Sequence, residues 1–386
     1  MKRKKIDVVF GTRPEAIKMA PLVRVLHEYP DEFETRVILT AQHREMLDQV
    51  MRIFNLDSDV DLDIMQAGQT LTSITIRGLE RLEPVFRDTP ADLVLVHGDT
   101  STTLVASLAA FYQKIPVAHV EAGLRSFDIH NPYPEEINRR LCDAICDLHF
   151  APTDNAMKNL LQENIPEEKI FITGNTGIDG LNIATKQVAG GGYKYLHSDL
   201  AKILDSPFIL LTVHRRENIG EPLANLCKAV EHICRKRPDM NFIYPVHLNP
   251  AINDPVHELL GSISNVHLLP PLEYSDFVAL LQRSTFVVTD SGGIQEEAPS
   301  LGKPVLVLRK VTERPEAVDA GTVRVIGTEL EEIIKQIENL LDDQQVFDDM
   351  ARAVNPYGDG LASSRIVEAI RYYFGINSER PDPFVP

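Results

Sequence analysis

The feature that most constrains the fold is a repeated alternation of short apolar runs with helix-like segments. Runs rich in Val, Ile and Leu begin at residues 6, 36, 92, 116 and 148, and a second series begins at residues 208, 241, 266, 286 and 304. Their length and β-branched content are typical of strands buried in a parallel sheet. The segments between them have helical periodicity; residues 134–148 place Ile137, Leu141, Ile145 and Leu148 on one face. The alternation predicts an α/β chain with two doubly wound parallel sheets, hence two Rossmann-like domains.

The length of the chain agrees with two domains. Its 386 residues suggest two units of roughly 150 to 200 residues each. We expect an N-terminal domain over residues 1–175 and a C-terminal domain over residues 176–362, because the stretch at 186–200 is glycine-bearing and weakly patterned. Residues 377–386 are rich in Pro and charge and are expected to be a disordered tail.

Charge and hydropathy exclude several classes of protein. Thirty-nine basic against fifty-six acidic residues give a net charge of -17, which argues against binding to nucleic acid or to an anionic membrane. No apolar run approaches the roughly 18 residues that a membrane span needs, and the basic N-terminus lacks the apolar segment of a signal peptide. We therefore expect a cytoplasmic protein. The spacing of Cys142, Cys146, Cys227 and Cys234 predicts buried thiols and fits neither a zinc site nor a disulfide framework.

Polar residues collect where the predicted strands end. Six such segments follow the strands: GTRPE, HGDTSTT, HVEAG, HRREN, PVH and DSGG. Ligands of open α/β sheets bind at the carboxyl ends of the strands, so the site is expected in the cleft between two such domains. The first domain has neither GxGxxG nor the Walker loop, so no NAD or ATP cofactor is expected. No metal is expected either, because HExxH is absent and the cysteine spacing does not fit a zinc site.

The segment DSGGIQEEA at residues 290–298 has the character of an anion site. Gly292 and Gly293 let a phosphate approach the backbone at a helix start, and Ser291 adds a hydroxyl. Glu297 lies about one turn further and is placed to accept hydrogen bonds from a ribose. The alternative is a tight turn whose glutamates complement the helix dipole.

Three carboxylates are candidates for acid/base chemistry. Asp99 and Glu121 end neighbouring predicted strands and Glu135 begins the next helix, so all three can converge on one pocket. The alternatives are that Asp99 caps a helix and that Glu135 forms a solvated pair with Arg139, four residues on.

Cationic side chains complete the candidate site. His214, Arg215 and His247 follow strands of the second series, and Arg13 follows the first strand of the chain. They can supply the positive charge that an anionic ligand needs. Arg13 alone is equally consistent with a structural ion pair.

With these residues assembled, the sequence resembles the bacterial non-hydrolysing UDP-N-acetylglucosamine 2-epimerases. The resemblance runs through nearly the whole chain in the segments GTRPEAIKMAP, AQHREMLDQV, LVHGDT, HVEAGLR, PYPEE, GNTGID, HRREN, YPVHLNP, TDSGGIQEEAPSLGKPVLVLR, TERPEA and NPYGDG. It implies the architecture of two Rossmann domains called GT-B, with the C-terminal helix at about 363–376 packed back onto the first domain. It also implies a homodimer.

The implied activity is reversible inversion at C2 of UDP-GlcNAc to UDP-ManNAc through a 2-acetamidoglucal, which supplies ManNAc for cell-surface polysaccharide. The resemblance assigns acid/base roles to Asp99, Glu121 and Glu135, and phosphate departure to His214. It assigns the binding of UDP and substrate to Arg13, Lys18, Phe277, Ser291, Gly292, Gly293 and Glu297. The rivals are a GT-B glycosyltransferase with a UDP-sugar donor, a hydrolysing epimerase that releases ManNAc and UDP, and a UDP-sugar sensor.

Regulated relatives bind a second UDP-GlcNAc beside the active site. The residues that match that region are Gln42, His43, Gln69, Arg215 and His247. Gly68 stands where some of these relatives carry an arginine, so activation by UDP-GlcNAc is a hypothesis for this chain.

Overall fold

The computed structural model describes residues 2–40, 44–64, 68–190, 195 and 200–386. The chain forms two compact units. The first consists of Met1–Ile183 with Tyr357–Val385, and the second consists of Ala184–Pro356. Each unit is built on its own parallel sheet.

The first unit contains a seven-stranded sheet in the order β3-β2-β1-β4-β5-β6-β7. Every pairing in it is parallel. The strands are β1 (Lys4–Phe10), β2 (Phe33–Leu39), β3 (Val60–Asp61), β4 (Leu93–His97), β5 (Val117–Val120), β6 (Leu148–Ala151) and β7 (Ile170–Ile172). The helices between them are α1 (Arg13–His27), α2 (Arg44–Phe54), α3 (Leu71–Asp88), α4 (Ser101–Tyr112), α5 (Glu135–Ile145) and α6 (Asp154–Gln162). A 3-10 turn covers Glu167–Lys169, and α7 (Thr176–Ala189) follows β7.

The second unit contains a six-stranded parallel sheet in the order β10-β9-β8-β11-β12-β13. The strands are β8 (Phe208–Thr212), β9 (Asn241–Pro245), β10 (Val266–Leu269), β11 (Val287–Thr289), β12 (Val305–Val307) and β13 (Val323–Val325). The helices are α8 (Leu200–Ile203), α9 (Glu221–Lys236), α10 (Pro250–Leu260), α11 (Tyr274–Arg283), α12 (Gly292–Glu297), α13 (Pro315–Asp319), α14 (Leu330–Asp342) and α15 (Gln344–Arg352). Two 3-10 turns cover Arg216–Asn218 and Ala298–Leu301.

Both sheets reverse their strand order next to their first strand. The reversal lies between β1 and β4 in the first unit and between β8 and β11 in the second. In doubly wound sheets, ligands bind at the carboxyl ends of the strands at this point. The loops after these four strands carry Gly11, Asp99, His214 and Ser291, so the topology selects the segments that the sequence singles out.

The predicted fold class is confirmed, since all ten apolar runs form strands of two parallel sheets. The three strands that the sequence did not reveal are β3, β7 and β13, which have only two or three residues each. A run of two or three residues is too short to show a periodic pattern. These strands form because a neighbouring strand is already in place to pair with them.

Buried apolar side chains from strands and helices form a core in each unit. In the first unit Val9 and Val94 of the sheet pack with Phe86 of α3. In the second, Leu211 and Phe242 of the sheet pack with Ile233 of α9. The four cysteines are free and buried, as predicted. None of the helices in the described residues is long and apolar enough to cross a membrane.

Helix α5 differs from its sequence pattern. The apolar face predicted for this segment is largely outward, with Leu141 49% and Ile137 37% exposed, whereas Glu136 and Asp143 are buried. Leu148 is not in the helix, because the chain enters β6 there. The polar side chains turn inward because they bind backbone groups and charged side chains in the interior.

The C-terminal segment lies against the first unit. Helix α16 (Ala362–Tyr373) packs on α1. Residues beyond it, for which the sequence predicts disorder, have no regular structure, but Phe384 is 5% exposed and its N–H donates to the Ile172 carbonyl at 2.8 Å. The guanidinium of Arg380 lies 4.3 Å from the centre of the Phe171 ring. These contacts hold the segment along β7.

Candidate active site

Glu15 ties together the two loops at the reversal of the first sheet. Its carboxylate is buried on α1 and accepts hydrogen bonds from the N–H groups of Gly11 at 3.0 Å and Thr12 at 2.8 Å. The other oxygen accepts from the Thr100 hydroxyl at 2.7 Å. Burial raises the pKa of Glu15, and these hydrogen bonds oppose the rise. The loop that carries Arg13 is thereby fixed to the loop that carries Asp99.

Glu121 follows β5 at the centre of a small charged cluster. Its backbone has φ +64°, a left-handed conformation that is uncommon outside glycine. Its carboxylate forms an ion pair with Lys18 of α1 and accepts from the Asn175 amide at 2.9 Å. The side chain is 11% exposed. Two separate parts of the first unit therefore fix this carboxylate, and strain retained in this way is a mark of functional positions.

His97, at the end of β4, faces the same carboxylate. Its Nε2 lies 3.8 Å from Glu121 Oε2, and neither ring nitrogen has a hydrogen-bond partner among the described residues. Burial, opposed by Glu121, lowers the pKa of His97 to about 3. The imidazole is therefore neutral at physiological pH. The cation beside Glu121 is Lys18.

Asp99 is held by the first turns of α5. It forms an ion pair with Arg139, and its carbonyl accepts from the Asn138 amide at 2.8 Å. Glu135 is the first residue of the same helix. The alternative role for Asp99 as a helix cap is wrong, because Thr100 is the N-cap of α4.

The alternative in which the acidic start of α5 forms solvated pairs is also not what the structure shows. Arg139 pairs with Asp99 and with Glu136, three residues before it. Glu136 is buried and accepts from the N–H of Ser126 at 3.0 Å and of Phe127 at 3.2 Å. The helix start therefore organises the loop that precedes it.

In the second unit, Asp290 anchors the loop after β8. This fully buried carboxylate accepts from the N–H groups of His214 at 3.0 Å and Arg215 at 2.8 Å, and from the Asn218 amide at 2.8 Å. The His214 ring is stacked on His247, with centroids 6.0 Å apart. Burial lowers the pKa of His214, with His247 and Arg215 acting in the same direction and Asp290 opposing. His214 is thus a poor permanent cation and a good neutral hydrogen-bond donor.

The glycine turn that begins α12 lies beside two guanidinium groups. A Cβ on Gly292 would be 3.6 Å from Arg314 Nη2 and 3.9 Å from Arg215 Nη2, while a Cβ on Gly293 would meet nothing within 4 Å. Arg314 also forms an ion pair with Glu296. The turn therefore offers an accessible backbone with fixed positive charge next to it, as an anion site requires.

Two further predicted residues lie on neighbouring helices of the same unit. Phe277 is partly exposed on α11, between the buried Asp276 and Val278. Glu297 is the last residue of α12 and is partly exposed. Ser291 immediately precedes α12 and donates its N–H to the Thr289 hydroxyl at 3.0 Å.

The residues predicted for a regulatory site are only partly described. Gln42 and His43 lie outside the described residues. Gln69 accepts from Arg77 Nη1 at 3.3 Å, and Arg215 Nη1 lies 3.7 Å from a Glu313 oxygen. Within the described ranges, no cluster of three or more His, Cys, Asp or Glu is arranged to hold a metal ion.

Five residues of these clusters were missed by sequence reasoning: Glu15, His97, Asn175, Asp290 and Arg314. Each lies within a segment that the resemblance rests on, namely GTRPEA, HGDT, GNTGID, TDSGG and TERPEA. Membership of such a segment was the available signal. What each side chain contacts follows only from the fold.

Two Rossmann-like sheets, one with carboxylates and the other with a cationic glycine turn at the reversal point, define the class of α/β enzymes that act on anionic nucleotide-type ligands. Comparison with known proteins narrows the class. A family model described as UDP-N-acetylglucosamine 2-epimerase matches residues 25–371. The chain belongs to the UDP-N-acetylglucosamine 2-epimerase family, as the resemblance predicted.

Similar proteins cover the whole chain. The UDP-N-acetylglucosamine 2-epimerase of Bacillus subtilis is 52% identical over 384 residues, which are 100% of this chain and 99% of the relative. The structure of the Neisseria meningitidis UDP-GlcNAc 2-epimerase bound to UDP-GlcNAc is 48% identical, covers 95% of this chain and 99% of its own, and has a TM-score of 0.86. The S. aureus MnaA–UDP structure is 48% identical, covers 99% and 100%, and has a TM-score of 0.88.

Proposed function

We propose that this protein catalyses the reversible inversion at C2 that converts UDP-GlcNAc to UDP-ManNAc. The observation that carries the proposal is the similarity over the whole chain to enzymes named for this reaction, including one solved with UDP-GlcNAc bound. The clusters in the two units supply the groups that the chemistry needs.

The main chemical obstacle to the reaction is the low acidity of the proton on C2. The C2 proton is not next to a carbonyl, so direct deprotonation is implausible. Breaking the bond between C1 and the phosphate oxygen gives C1 oxocarbenium character and acidifies C2. A carboxylate then takes the C2 proton, and the C–H electron pair forms the C1–C2 double bond of 2-acetamidoglucal while UDP leaves. A proton delivered to the opposite face of C2 and re-addition of UDP at C1 complete the inversion.

The first unit supplies the acid/base groups in this proposal. Glu121 is supported by its left-handed backbone and by its fixed partners, Lys18 and Asn175. Asp99 and Glu135 are the other two candidates, and α5 holds both of them in place.

In this proposal the second unit binds UDP. We assign the diphosphate to Ser291, Gly292 and Gly293, because the turn is accessible and two guanidinium groups lie beside it. His214 assists departure of the phosphate by donating a hydrogen bond. Glu297 is assigned to the ribose and Phe277 to the uracil. The resemblance also assigns Arg13 and Lys18, which lie in the first unit, to the binding of substrate.

Incubation with UDP-GlcNAc as the sole substrate tests the proposal. Anion-exchange chromatography is expected to show conversion to UDP-ManNAc and arrival at the same mixture when UDP-ManNAc is the starting material. Accumulation of UDP with free ManNAc would replace the proposal with the hydrolysing reaction. Absence of any conversion would favour the glycosyltransferase or the sensor.

Regulation by a second UDP-GlcNAc is proposed at Arg215 and His247. The stacking of His247 on His214 supports it, because it connects the proposed regulatory region with the proposed diphosphate site inside one unit. The rate with UDP-ManNAc is then expected to rise when traces of UDP-GlcNAc are added. A hyperbolic rate curve unchanged by UDP-GlcNAc would reject the proposal.

A homodimer is proposed from the outward apolar face of the first unit. Phe111 and Tyr112 at the end of α4 are exposed, as are Ile137 and Leu141 on the neighbouring α5. Burying such side chains is favourable at about 25 cal/mol per Å². Light scattering is expected to give twice the mass of the chain, and Leu141→Glu is expected to lower it. A monomeric mass at micromolar concentration would contradict the proposal.

A further inference from the structure

His119, in the middle of β5, is completely buried between two hydrogen-bond acceptors. Its Nδ1 lies 2.6 Å from Asp143 Oδ1, and its Nε2 lies 2.6 Å from the carbonyl oxygen of Gly98. A carbonyl oxygen only accepts hydrogen bonds, so Nε2 must carry a hydrogen. The protonation of Nδ1 then depends on Asp143.

Asp143 is an ionised carboxylate. Its Oδ2 accepts from Arg125 Nη2 at 2.6 Å and from the Gly123 N–H at 3.3 Å. Burial by itself raises the pKa of Asp143, but His119, Arg125 and His149 together lower it to about 2. An ionised carboxylate accepts and cannot donate, so Nδ1 of His119 must also carry a hydrogen.

We propose that His119 is a positioning residue that works as a buried imidazolium, clamped between Asp143 and the Gly98 carbonyl. A neutral imidazole has a single N–H and can satisfy only one of the two acceptors. The second proton therefore connects α5 to the turn after β4. His119 acts through this turn and has no assigned contact with substrate.

The two hydrogen bonds of His119 help to position two of the proposed acid/base groups, Asp99 and Glu121. Gly98 has φ +68° and directly precedes Asp99, so its carbonyl sets the direction of the turn that presents Asp99. Glu121 follows His119 by two residues, and a Cβ on Gly98 would lie 3.9 Å from Glu121 Oε1. One imidazolium thus holds the turn between these two carboxylates.

The surrounding charges balance the buried cation. Asp143 on α5 and Glu163 after α6 are the anions, and Arg125 pairs with both of them. On the neighbouring strands, His97 of β4 is neutral. Burial also lowers the pKa of His149 of β6, whose Nε2 lies 2.9 Å from the Asp143 carbonyl. Glu121 is paired with Lys18.

NMR of imidazole nitrogens tests the protonation state without substrate, so the result does not depend on the proposed reaction. The full-length protein labelled with 15N-histidine is measured at neutral pH, and the His119 signals are identified by their loss in His119→Gln or by cross-peaks to the Val120 backbone. Both His119 nitrogens are expected to be protonated. A single protonated nitrogen would overturn the proposal.

A matched pair of variants tests the positioning role, which rests on the proposed function. Asp143→Asn removes the carboxylate charge that contacts His119. Glu163→Gln removes the other carboxylate charge that pairs with Arg125, and Glu163 does not contact His119. We expect Asp143→Asn to lose one His119 proton and about 10- to 100-fold in kcat through displacement of the turn, with little change in KM. Glu163→Gln is expected to keep both protons and to stay within about twofold of wild-type kcat.

Equal losses of kcat in the two variants, or a wild-type kcat in Asp143→Asn, would overturn the positioning role. If Asp143→Asn does not fold, the protonation of His119 is measured by NMR in Asp143→Glu instead. That variant keeps the charge and is expected to retain both His119 protons. Loss of a His119 proton in Asp143→Glu would contradict the proposed imidazolium.

Discussion

Replacement of His97 by glutamine tests whether a neutral imidazole really lies beside Glu121. His97 is buried without a hydrogen-bond partner for either ring nitrogen in the described part of the chain, and its pKa is about 3. In the unfolded chain a histidine titrates at about 6.5. Between these two values the unfolded chain binds one proton that the folded protein does not bind.

The sign and size of the effect follow from this difference. Because the folded pKa is depressed, acid favours the unfolded chain, and His97 makes the free energy of unfolding fall by about 1.4 kcal/mol per pH unit well below pH 6.5. Integrated from pH 8 to pH 5, the loss is about 2 kcal/mol. Above the unfolded pKa the contribution no longer changes with pH.

Urea unfolding at several pH values between 5 and 8 measures this loss. Far-UV circular dichroism is a suitable signal because the chain has no tryptophan. The difference between wild type and His97→Gln isolates the one histidine, since the other groups cancel. It is expected to change by about 2 kcal/mol over the range. A constant difference for His97→Gln would refute the neutral imidazole.

Substitutions at four further positions test the two clusters. Asp99→Asn and Glu121→Gln are each expected to lower kcat at least about 100-fold while calorimetry shows nearly unchanged UDP binding; lost binding would make these residues structural. Asp290→Ala removes the buried acceptor of three hydrogen-bond donors, so urea unfolding should show a loss of about 3 kcal/mol or more and calorimetry at least about tenfold weaker UDP binding. Unchanged UDP affinity would show that Asp290 does not organise the phosphate site. Glu15→Gln should cost only about 1 kcal/mol, because an amide can accept from Gly11 and Thr12 and donate to Thr100, whereas Glu15→Ala should cost about 3 kcal/mol or more. Equal losses in urea unfolding would contradict this hydrogen-bond scheme.

The sheets were accessible from sequence because their strands are buried on both faces. Such strands appear as continuous apolar runs, and each of the ten runs forms a strand. Helix α5 is a case in which prediction from hydrophobic periodicity fails. Its apolar residues suggested an inward face, but the inward positions include Glu136 and Asp143, which bind groups outside the helix. Hydrophobic periodicity predicts which apolar residues are buried, but it cannot predict that charged residues are buried as ion pairs.

The candidate site was predictable in the same limited sense. Segments at strand ends identified Asp99, Glu121 and Ser291, because within each parallel sheet the carboxyl ends of the strands lie at one edge of that sheet. Their partners were not predictable. Asn175 contacts Glu121 across 54 positions, and Asp290 binds Arg215 across 75. Nothing local to Lys18 indicates that it will pair with Glu121, since the two residues come into contact only in the folded first unit.

The central claim is that UDP leaves C1 while a carboxylate removes the C2 proton. Proton NMR of the purified protein with UDP-GlcNAc alone in D2O tests it most directly. The account predicts UDP-ManNAc with deuterium at C2, because the removed proton exchanges with solvent before the opposite face is protonated. UDP-ManNAc that retains the original hydrogen at C2, or free ManNAc with UDP, would contradict it.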